Sequence, residues 1–199
     1  NNKLSYGATL YYMLYKDQLV LTGNINDVGE YLRANVPDSY RMGIELQARN
    51  RFTQWLQASA NLTLSSNKIR NYGDEKKTTD IAFSPNLVAG AVITFLPLKD
   101  LEISLPAKYV GRQYLTNNSR KENSLSAFYV QDAKVAYTLR KLLFKETTIA
   151  FQVNNVFDRM YTPNGYTYSM DDGAGGLAVV NNYFPMAGTN FLVALQIKL

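Results

Sequence analysis

Charged residues occur inside segments of this chain whose side chains alternate between apolar and polar. These residues are Arg41, Glu45, Arg49, Glu102, Lys108, Asp132 and Lys134. Acid–base chemistry needs such groups within hydrogen-bond reach of one reacting molecule, and no spacing in the sequence brings Glu45 and Glu102 that close. The sequence therefore predicts no enzymatic activity. It leaves two interpretations for the charges: an ionic lining around interior water, and a path for a charged substrate.

Tyrosine is the most frequent aromatic residue, with 15 Tyr against nine Phe and one Trp. Several tyrosines flank the longest connection in the chain: Tyr161, Tyr166, Tyr168 and Tyr183. Such rings can hold a ligand by stacking, and Tyr161, Tyr166 and Tyr168 are our candidates for that role. The alternative is anchoring at a membrane–water boundary, because tyrosine combines an apolar ring with a polar hydroxyl.

The chain has neither cysteine nor histidine. Thiol chemistry, zinc sites built from Cys and His, and triads with an imidazole base are therefore excluded. The Asp- and Gly-rich run at 171–176 lacks the ligand spacing of an EF-hand, so we interpret it as a flexible loop, with a cation site as the alternative. We predict no metal and no cofactor. The net charge of +5 is spread along the chain, so we predict no nucleic-acid partner.

The elements that must position these residues are strands, because side chains on a strand change face at every residue. Alternation of this kind predicts an all-β fold of about eight strands. Their expected bounds are 4–15, 41–49, 55–64, 87–95, 101–111, 127–139, 147–156 and 190–199. Lys16-Asp17 interrupts the alternation, and we expect a loop with Gly23-Asn24 and Asn26-Asp27 to follow it. Pro106 cannot donate a ladder hydrogen bond, so a bulge or an early strand end is expected there.

The apolar faces of these strands indicate a transmembrane antiparallel β-barrel. They contain no Lys, Arg, Asp or Glu, and a charge facing lipid at mid-bilayer costs about 2–4 kcal/mol. Gln131 is one polar residue on such a face, and Val88 and Val92 are apolar residues on the opposite one. Short connections follow the second, fourth and sixth strands and long ones follow the others, as in barrels with short periplasmic turns and long external loops.

Two other architectures fit the alternation. A complete eight-stranded barrel with a structural or adhesive role would have its interior filled by side chains. A soluble β-rich binding module would instead pack the apolar faces against a second layer. No apolar run approaches the roughly 20 residues of a transmembrane helix. We expect lipid to contact Leu10, Ile44, Leu62, Ile103 and Val193, and coverage of these residues by protein would contradict the membrane interpretation.

Several motifs resemble those of TonB-dependent outer-membrane receptors. The segment 152–161 (QVNNVFDRMY) is followed by a long loop, by 183–191 (YFPMAGTNF) and by a terminal alternating strand, in the order found at the C-terminal end of that family. Residues 41–46 (RMGIEL) and 109–115 (YVGRQYL) are similar to recurrent strand and strand-to-loop segments of the same receptors. Two departures are Met186–Asn190, where the family usually has Pro, Gly and Arg, and Leu199 in place of Phe.

The resemblance implies that residues 1–199 form the C-terminal segment of a 22-stranded barrel in the bacterial outer membrane. It further implies an N-terminal plug, a TonB-contacting segment and the earlier barrel strands, none of which lies in these residues. The expected function is uptake of a scarce nutrient, such as an iron–siderophore complex, with energy passed from TonB. Outer-membrane lipid, the remaining barrel and plug, TonB and a small-molecule substrate are the implied partners. The seven charges would then line the lumen and hold the plug or water.

Overall fold

The computed structural model describes residues 4–140, 144–171, 173 and 176–199, and its regular elements are all β-strands. No helix in this described part is long and apolar enough to cross a membrane. The strands are β1 (Leu4–Ile25), β2 (Tyr31–Arg51), β3 (Leu56–Tyr72), β4 (Lys77–Asp80), β5 (Leu87–Leu98), β6 (Leu101–Val110), β7 (Gln113–Tyr114), β8 (Ser124–Leu125), β9 (Phe128–Gln131), β10 (Ala133–Arg140), β11 (Glu146–Asn154), β12 (Asn164–Asp171), β13 (Leu177–Phe184) and β14 (Asn190–Lys198).

One sheet contains all eight predicted strands, each antiparallel to the next. The full order is β13-β12-β1-β2-β3-β5-β6-β10-β11-β14, in which β12 meets β1 in parallel at Asn24 and Thr167, and β9 continues the line of β10 beside β6. After β2, β5 and β10 the chain reaches the next main strand within six positions. The other end of the sheet carries the connections with β4, with β7 and β8, and with the β12–β13 hairpin. The predicted all-β class is confirmed, and so is the separation of short turns from long connections, except after β1, where β2 follows within six positions.

The sheet is not closed. No pairing joins β1 to β14 among the described residues, and every residue of β14 is exposed. An unpaired strand edge presents free N–H and C=O groups, which proteins normally pair or cover. A self-contained eight-stranded barrel would have paired these two edges, so the open sheet argues against that alternative.

Several predicted strand ends are wrong because the strands continue beyond them. β1 runs past Asp17 and through Gly23-Asn24 to Ile25, so only the Asn26-Asp27 part of the expected loop forms the reversal. It lies at Asn26–Gly29, where the Gly29 N–H donates to the Asn26 carbonyl at 3.0 Å. The expected long loop after the first strand is therefore a tight turn on an extended hairpin. Asp17 has a φ of 52°, and a residue in the left-handed region interrupts the alternation without ending the strand.

The face that we call the outer face carries the predicted apolar residues and is open to its surroundings. Leu10 is 78% exposed and Val193 is 69% exposed, and no second layer of described residues covers them. From Leu4 to Leu14 the strand rises through ten residues, which is about 25 Å of height at a tilt of roughly 40°. That height matches the apolar band of an outer-membrane barrel. It argues against the soluble module.

Buried side chains lie mostly at the end of the sheet that carries the long connections. Val20, Val36, Ile69 and Ile81 form one cluster, with Tyr72 packed against it. Leu115, Leu125, Asn117 and Thr167 are fully buried in the connections around it. The hydrophobic core therefore lies where the extended ends of β1, β2 and β3 meet the long connections, because lipid replaces a protein core along the membrane-spanning part.

The bulge or strand end expected at Pro106 is absent. Ala107 pairs with Gln131 and Ser104 with Lys134, so the register is the same on both sides of Pro106. The Asp132 N–H donates to the Pro106 carbonyl at 2.8 Å, while the Asp132 carbonyl lacks the N–H that a proline cannot supply. Gln131 supplies a replacement, because its Nε2 donates to that carbonyl at 2.8 Å and to the Pro106 carbonyl at 2.7 Å.

This arrangement explains why a polar side chain, Gln131, lies on the outer face, and it predicts a double-mutant cycle. Gln131→Leu should lower the free energy of unfolding by about 1–3 kcal/mol, because the Asp132 carbonyl is left without a donor. Pro106→Ala restores a backbone N–H opposite that carbonyl, so the same Gln131→Leu change should cost much less in that background. Denaturant unfolding of the receptor in detergent micelles measures both. Equal costs in the two backgrounds would contradict the assignment.

Candidate functional site

The seven charged residues predicted to share a face do so in the ladder. Glu45 pairs with Thr63, and successive pairs lead across β5 and β6 to Phe128 on β9. Side chains an even number of residues apart on a strand point to the same face. Arg41 and Arg49 are each four residues from Glu45 on β2, so they share its face. By the same rule Glu102 and Lys108 share the face of Val110 on β6, and Asp132 and Lys134 share that of Phe128. We call this the inner face.

A cavity of about 610 Å³ lies on the inner face, beneath the connection from β11 to β14. Its sheet side consists of residues on β6, β9 and β11 with the start of β14, and its other side is residues of the connection. The lining residues are Pro106, Ala107, Lys108, Phe128, Val130, Asp132, Asn154, Asn155, Tyr161, Pro163, Met186, Ala187 and Asn190. The structure thus brings together Lys108, Asp132 and Tyr161 from the predicted set.

The cavity combines an aromatic wall with polar groups. Tyr161 stacks on Phe128 with ring centroids 4.7 Å apart and an interplanar angle of 28°. The Asn154 amide donates to Asn190 Oδ1 at 2.8 Å. Lys108 makes no ion pair with any described residue, so its ammonium group is available to a ligand. A pocket that is largely apolar, with a few convergent polar groups, is the usual form of a small-molecule site.

Asn155 holds the connection to the sheet. Its side-chain amide donates to the Arg159 carbonyl at 2.9 Å and to the Ala187 carbonyl at 3.3 Å, and its Oδ1 accepts the Arg159 N–H at 2.9 Å. The Asn155 N–H donates to Asp132 Oδ1 at 2.9 Å. Asp132 therefore fixes the start of the connection, in addition to lining the cavity. The position of Tyr161 depends on this junction.

The other predicted charges lie elsewhere on the inner face. Glu102 and Lys134 line a second cavity of about 780 Å³ at the end with the short turns. Arg41 donates from Nη1 to Asn67 Oδ1 and Ser84 Oγ, both at 3.2 Å, while Glu45 and Arg49 are exposed. Within the described part of the chain, none of the seven forms an ion pair. Among the described residues, the inner face thus presents charges of both signs without ionic partners.

The remaining candidate tyrosines do not join Tyr161. Tyr166 lies on β12 and packs against Phe184, with centroids 5.7 Å apart. Tyr168 lies two residues further along the hairpin and is exposed. Neither lines the cavity that contains Lys108, so the structure divides the three tyrosines between the cavity and the β12–β13 hairpin.

The β12–β13 hairpin reaches across the molecule to the tip of β1. Thr167 is fully buried and its Oγ1 donates to Asn24 Oδ1 at 2.7 Å. The Tyr31 hydroxyl donates to the Gly165 carbonyl at 3.0 Å, and burial raises the pKa of Tyr31. The connection that leaves β11 is thereby attached to the far edge of the sheet, at β1 and β2. With the other long connections it forms a layer over the inner face, which we call the loop layer.

The other connections join the same layer. Asn117 donates from Nδ2 to the Leu21 carbonyl at 2.8 Å and accepts the Ala82 N–H at 2.7 Å, so one buried side chain links its own connection to β1 and to the connection between β4 and β5. Gln113 donates to the Pro163 carbonyl at 3.1 Å. The predicted loop or cation site at 171–176 lies largely outside the described residues.

The sequence alone did not identify Phe128 and Asn155, which line the cavity, or Asn117, which joins the connections above it. Phe128 lies on the face that the alternation predicts to be polar. The sequence indicated that this face carries an apolar patch, because Val88 and Val92 lie on it as well. Asn155 lies within the segment 152–161 that carries the family resemblance. Asn117 had no signal, because its partners are far away in sequence.

Comparison with known proteins identifies the family. The sequence model described as "TonB dependent receptor-like, beta-barrel" matches residues 1–156. The ferrichrome outer membrane transporter/phage receptor of Escherichia coli K12 is 29% identical over 133 residues, which is 60% of this chain and 18% of that protein. This chain therefore spans less than a fifth of that relative.

Solved receptors share the fold along nearly the whole chain. The ferric-catecholate import receptor Fiu of E. coli K12 superposes with a TM-score of 0.69 at 17% identity, covering 99% of this chain and 25% of Fiu. The ferric yersiniabactin uptake receptor FyuA of Yersinia pestis gives 0.69 at 19% identity, covering 98% and 27%. These relatives are outer-membrane transporters and receptors, and the outer face of the sheet is the lipid-facing one. The chain belongs to the TonB-dependent receptor family, and its sheet is a segment of that family's outer-membrane β-barrel.

Proposed function

We propose that this chain is the C-terminal barrel segment of a receptor that imports an iron–siderophore complex with energy supplied through TonB. It has no enzymatic role in this proposal. The observation that carries the proposal is the cavity on the inner face, which lies under a packed loop layer in a chain of this family. Such a site can receive a molecule entering from outside and is shielded from lipid by the sheet.

The inner-face charges support a second layer of protein in the lumen. Arg49, Glu102 and Lys134 have no ionic partner among the described residues, and unpaired charges on a concave wall are costly unless water or another segment solvates them. We infer that a plug domain preceding this segment contacts them. The free edge of β14, and the edge of β1 below its contact with β12 at Asn24, would be completed by the remaining strands of the same wall.

The cavity and the hairpin supply the proposed substrate contacts. Lys108 offers a cation for an anionic siderophore, and the Tyr161–Phe128 pair offers an aromatic wall for its organic part. Tyr166 and Tyr168 on the β12–β13 hairpin would contact the substrate earlier on its route. In this proposal the β12–β13 hairpin captures the substrate and the cavity beside β6 and β9 receives it next.

Uptake measurements test this function. Cells that lack their own siderophore receptors and express the full-length receptor should accumulate ⁵⁵Fe from at least one ferric siderophore in a panel. Deleting TonB should abolish accumulation. Lys108→Gln should raise the concentration needed for half-maximal uptake by about ten-fold, since a charge-assisted hydrogen bond is worth roughly 1.5–3 kcal/mol.

A matched control is Lys99→Gln, which removes the same charge at the short turn between β5 and β6. This variant should import normally. Uptake that persists without TonB, or a panel in which no iron complex is imported, would overturn the proposed function. Equal effects of the two lysine substitutions would remove the cavity from the substrate route and leave the family assignment unchanged.

A further inference from the structure

A groove of about 400 Å³ lies on the outer face, away from the lumen. It is lined by Tyr12, Tyr40, Met42, Arg70, Asn71 and Thr78. These residues belong to β1, β2, the end of β3 and the start of β4. None of them contributes to the cavity on the inner face, so the groove is independent of the proposed substrate route.

The lower part of the groove is at the level of the lipid hydrocarbon. We call the residues paired across neighbouring strands a row. The row of Tyr12 and Met42 is the next one on the outer face above the row of Leu10 and Ile44. The rings of Tyr12 and Tyr40 lie 6.3 Å apart at 42°. Tyrosines at this height are typical of the boundary between the apolar band and the polar headgroups. An acyl chain could therefore lie along the Tyr12 and Met42 side chains.

The upper part of the groove is cationic and polar. The Arg70 guanidinium lies over the Tyr40 ring, 5.0 Å from its centroid, which fixes its position by a cation–π contact. Arg70 has no ion pair or hydrogen bond with any described residue, so all its N–H donors are available. Asn71 and Thr78 add an amide and a hydroxyl beside it.

No neighbouring carboxylate of the described residues forms an ion pair with Arg70, so Arg70 remains the cation of the groove. Arg70 pairs with Asp38, and Asp38 pairs with Lys16, so the row carries two cations and one anion. No ion pair within 4 Å forms in this described row. In the row below, Lys68 is already paired with Asp80, with Nζ 2.7 Å from Oδ1. The row therefore has a net charge of +1.

We propose that this groove binds one phosphorylated amphiphile of the outer leaflet, with its phosphate on Arg70 and an acyl chain against Tyr12 and Met42. The order of chemistry along the groove, apolar at the hydrocarbon level and cationic immediately above it, is that of a lipid with an anionic headgroup. Guanidinium binds phosphate through paired N–H donors, which are stronger than neutral hydrogen bonds.

The test uses the full-length receptor in nanodiscs of neutral phospholipid doped with a bisphosphorylated glycolipid, and native mass spectrometry counts the retained glycolipid. Arg70→Gln should lower retention about five-fold, since a basic residue near an anionic surface is worth about 1 kcal/mol. Tyr40→Leu, which removes the ring under the guanidinium, should lower it as well. Arg33→Gln is the control, because it removes the same group from the exposed part of β2 outside the groove.

Two further arms identify the ligand chemistry. The dephosphorylated glycolipid should not be retained, and inorganic phosphate at millimolar concentration should not displace the phosphorylated one, because it lacks the acyl chain. The proposal is overturned if Arg70→Gln behaves like Arg33→Gln, if the dephosphorylated lipid binds equally well, or if free phosphate displaces the lipid completely.

Discussion

Gly23→Ala is expected to open the loop layer and to abolish high-affinity substrate binding by the receptor. Gly23 is buried, and a Cβ built there would lie 1.9 Å from the Leu115 carbonyl oxygen. Backbone atoms cannot move aside as a flexible side chain can, so the tip of β1 and the segment at Leu115 must separate. The φ of Gly23 is +88°, which adds strain for any L side chain.

Gly29→Ala is the matched control for this prediction. Gly29 has nearly the same φ, +86°, and an added Cβ would meet nothing within 4 Å. Both variants carry left-handed strain of about 1–2 kcal/mol, and only Gly23→Ala adds overpacking of roughly 1–3 kcal/mol or more. Hydrogen exchange in the receptor should show lost protection at Leu115 and Thr167 for Gly23→Ala alone. Identical exchange in both variants would refute the contact.

Asn155→Ala is expected to detach the connection to β14 from the sheet. Asn155 is 2% exposed, and its side chain makes three hydrogen bonds to the backbone of the connection. Alanine leaves those groups unsatisfied, and it also fits poorly at the φ of 53° that asparagine tolerates. We expect a loss of about 3–5 kcal/mol in the stability of this region, the upper range for a single substitution.

Asn155→Asp separates the two causes. Aspartate also tolerates the left-handed conformation and can still accept the Arg159 N–H, but it cannot donate to the Arg159 and Ala187 carbonyls. Its effect should therefore be intermediate. Limited proteolysis of the receptor, followed by mass spectrometry of cleavage between 156 and 163, measures the loosening. Wild-type resistance of Asn155→Ala would show that the junction does not hold the connection.

The strands and their faces could be predicted because alternation reports directly on which side chains meet lipid. Their ends could not, because alternation stops being regular where the strand leaves the membrane. Asp17 shows why: one left-handed residue breaks the pattern while the ladder to β2 continues in the same register. The bulge expected at Pro106 failed for a related reason, since the compensating Gln131 lies 25 residues away.

For the candidate site, the sequence predicted which charged residues share the inner face. It did not predict the long-range contacts that bring them together with Tyr161. Lys108 and Asp132 followed from strand parity, whereas the cavity also needs the position of Tyr161, which Asn155 determines through contacts across the connection. The loop layer depends on pairs such as Asn117 with Leu21, 96 residues apart. No local pattern encodes contacts of that separation, so the layer became visible only in three dimensions.

The contact between Thr167 and Asn24 joins residues 143 positions apart, and this separation has a kinetic consequence. Hairpins such as β1–β2 and β10–β11 can form early, since their partners are neighbours along the chain. The β12–β13 hairpin must wait until both flanks of the sheet are in place, because closing so long a loop is slow. Protease resistance of the external surface should consequently appear as the final step of biogenesis, after the strands have entered the lipid.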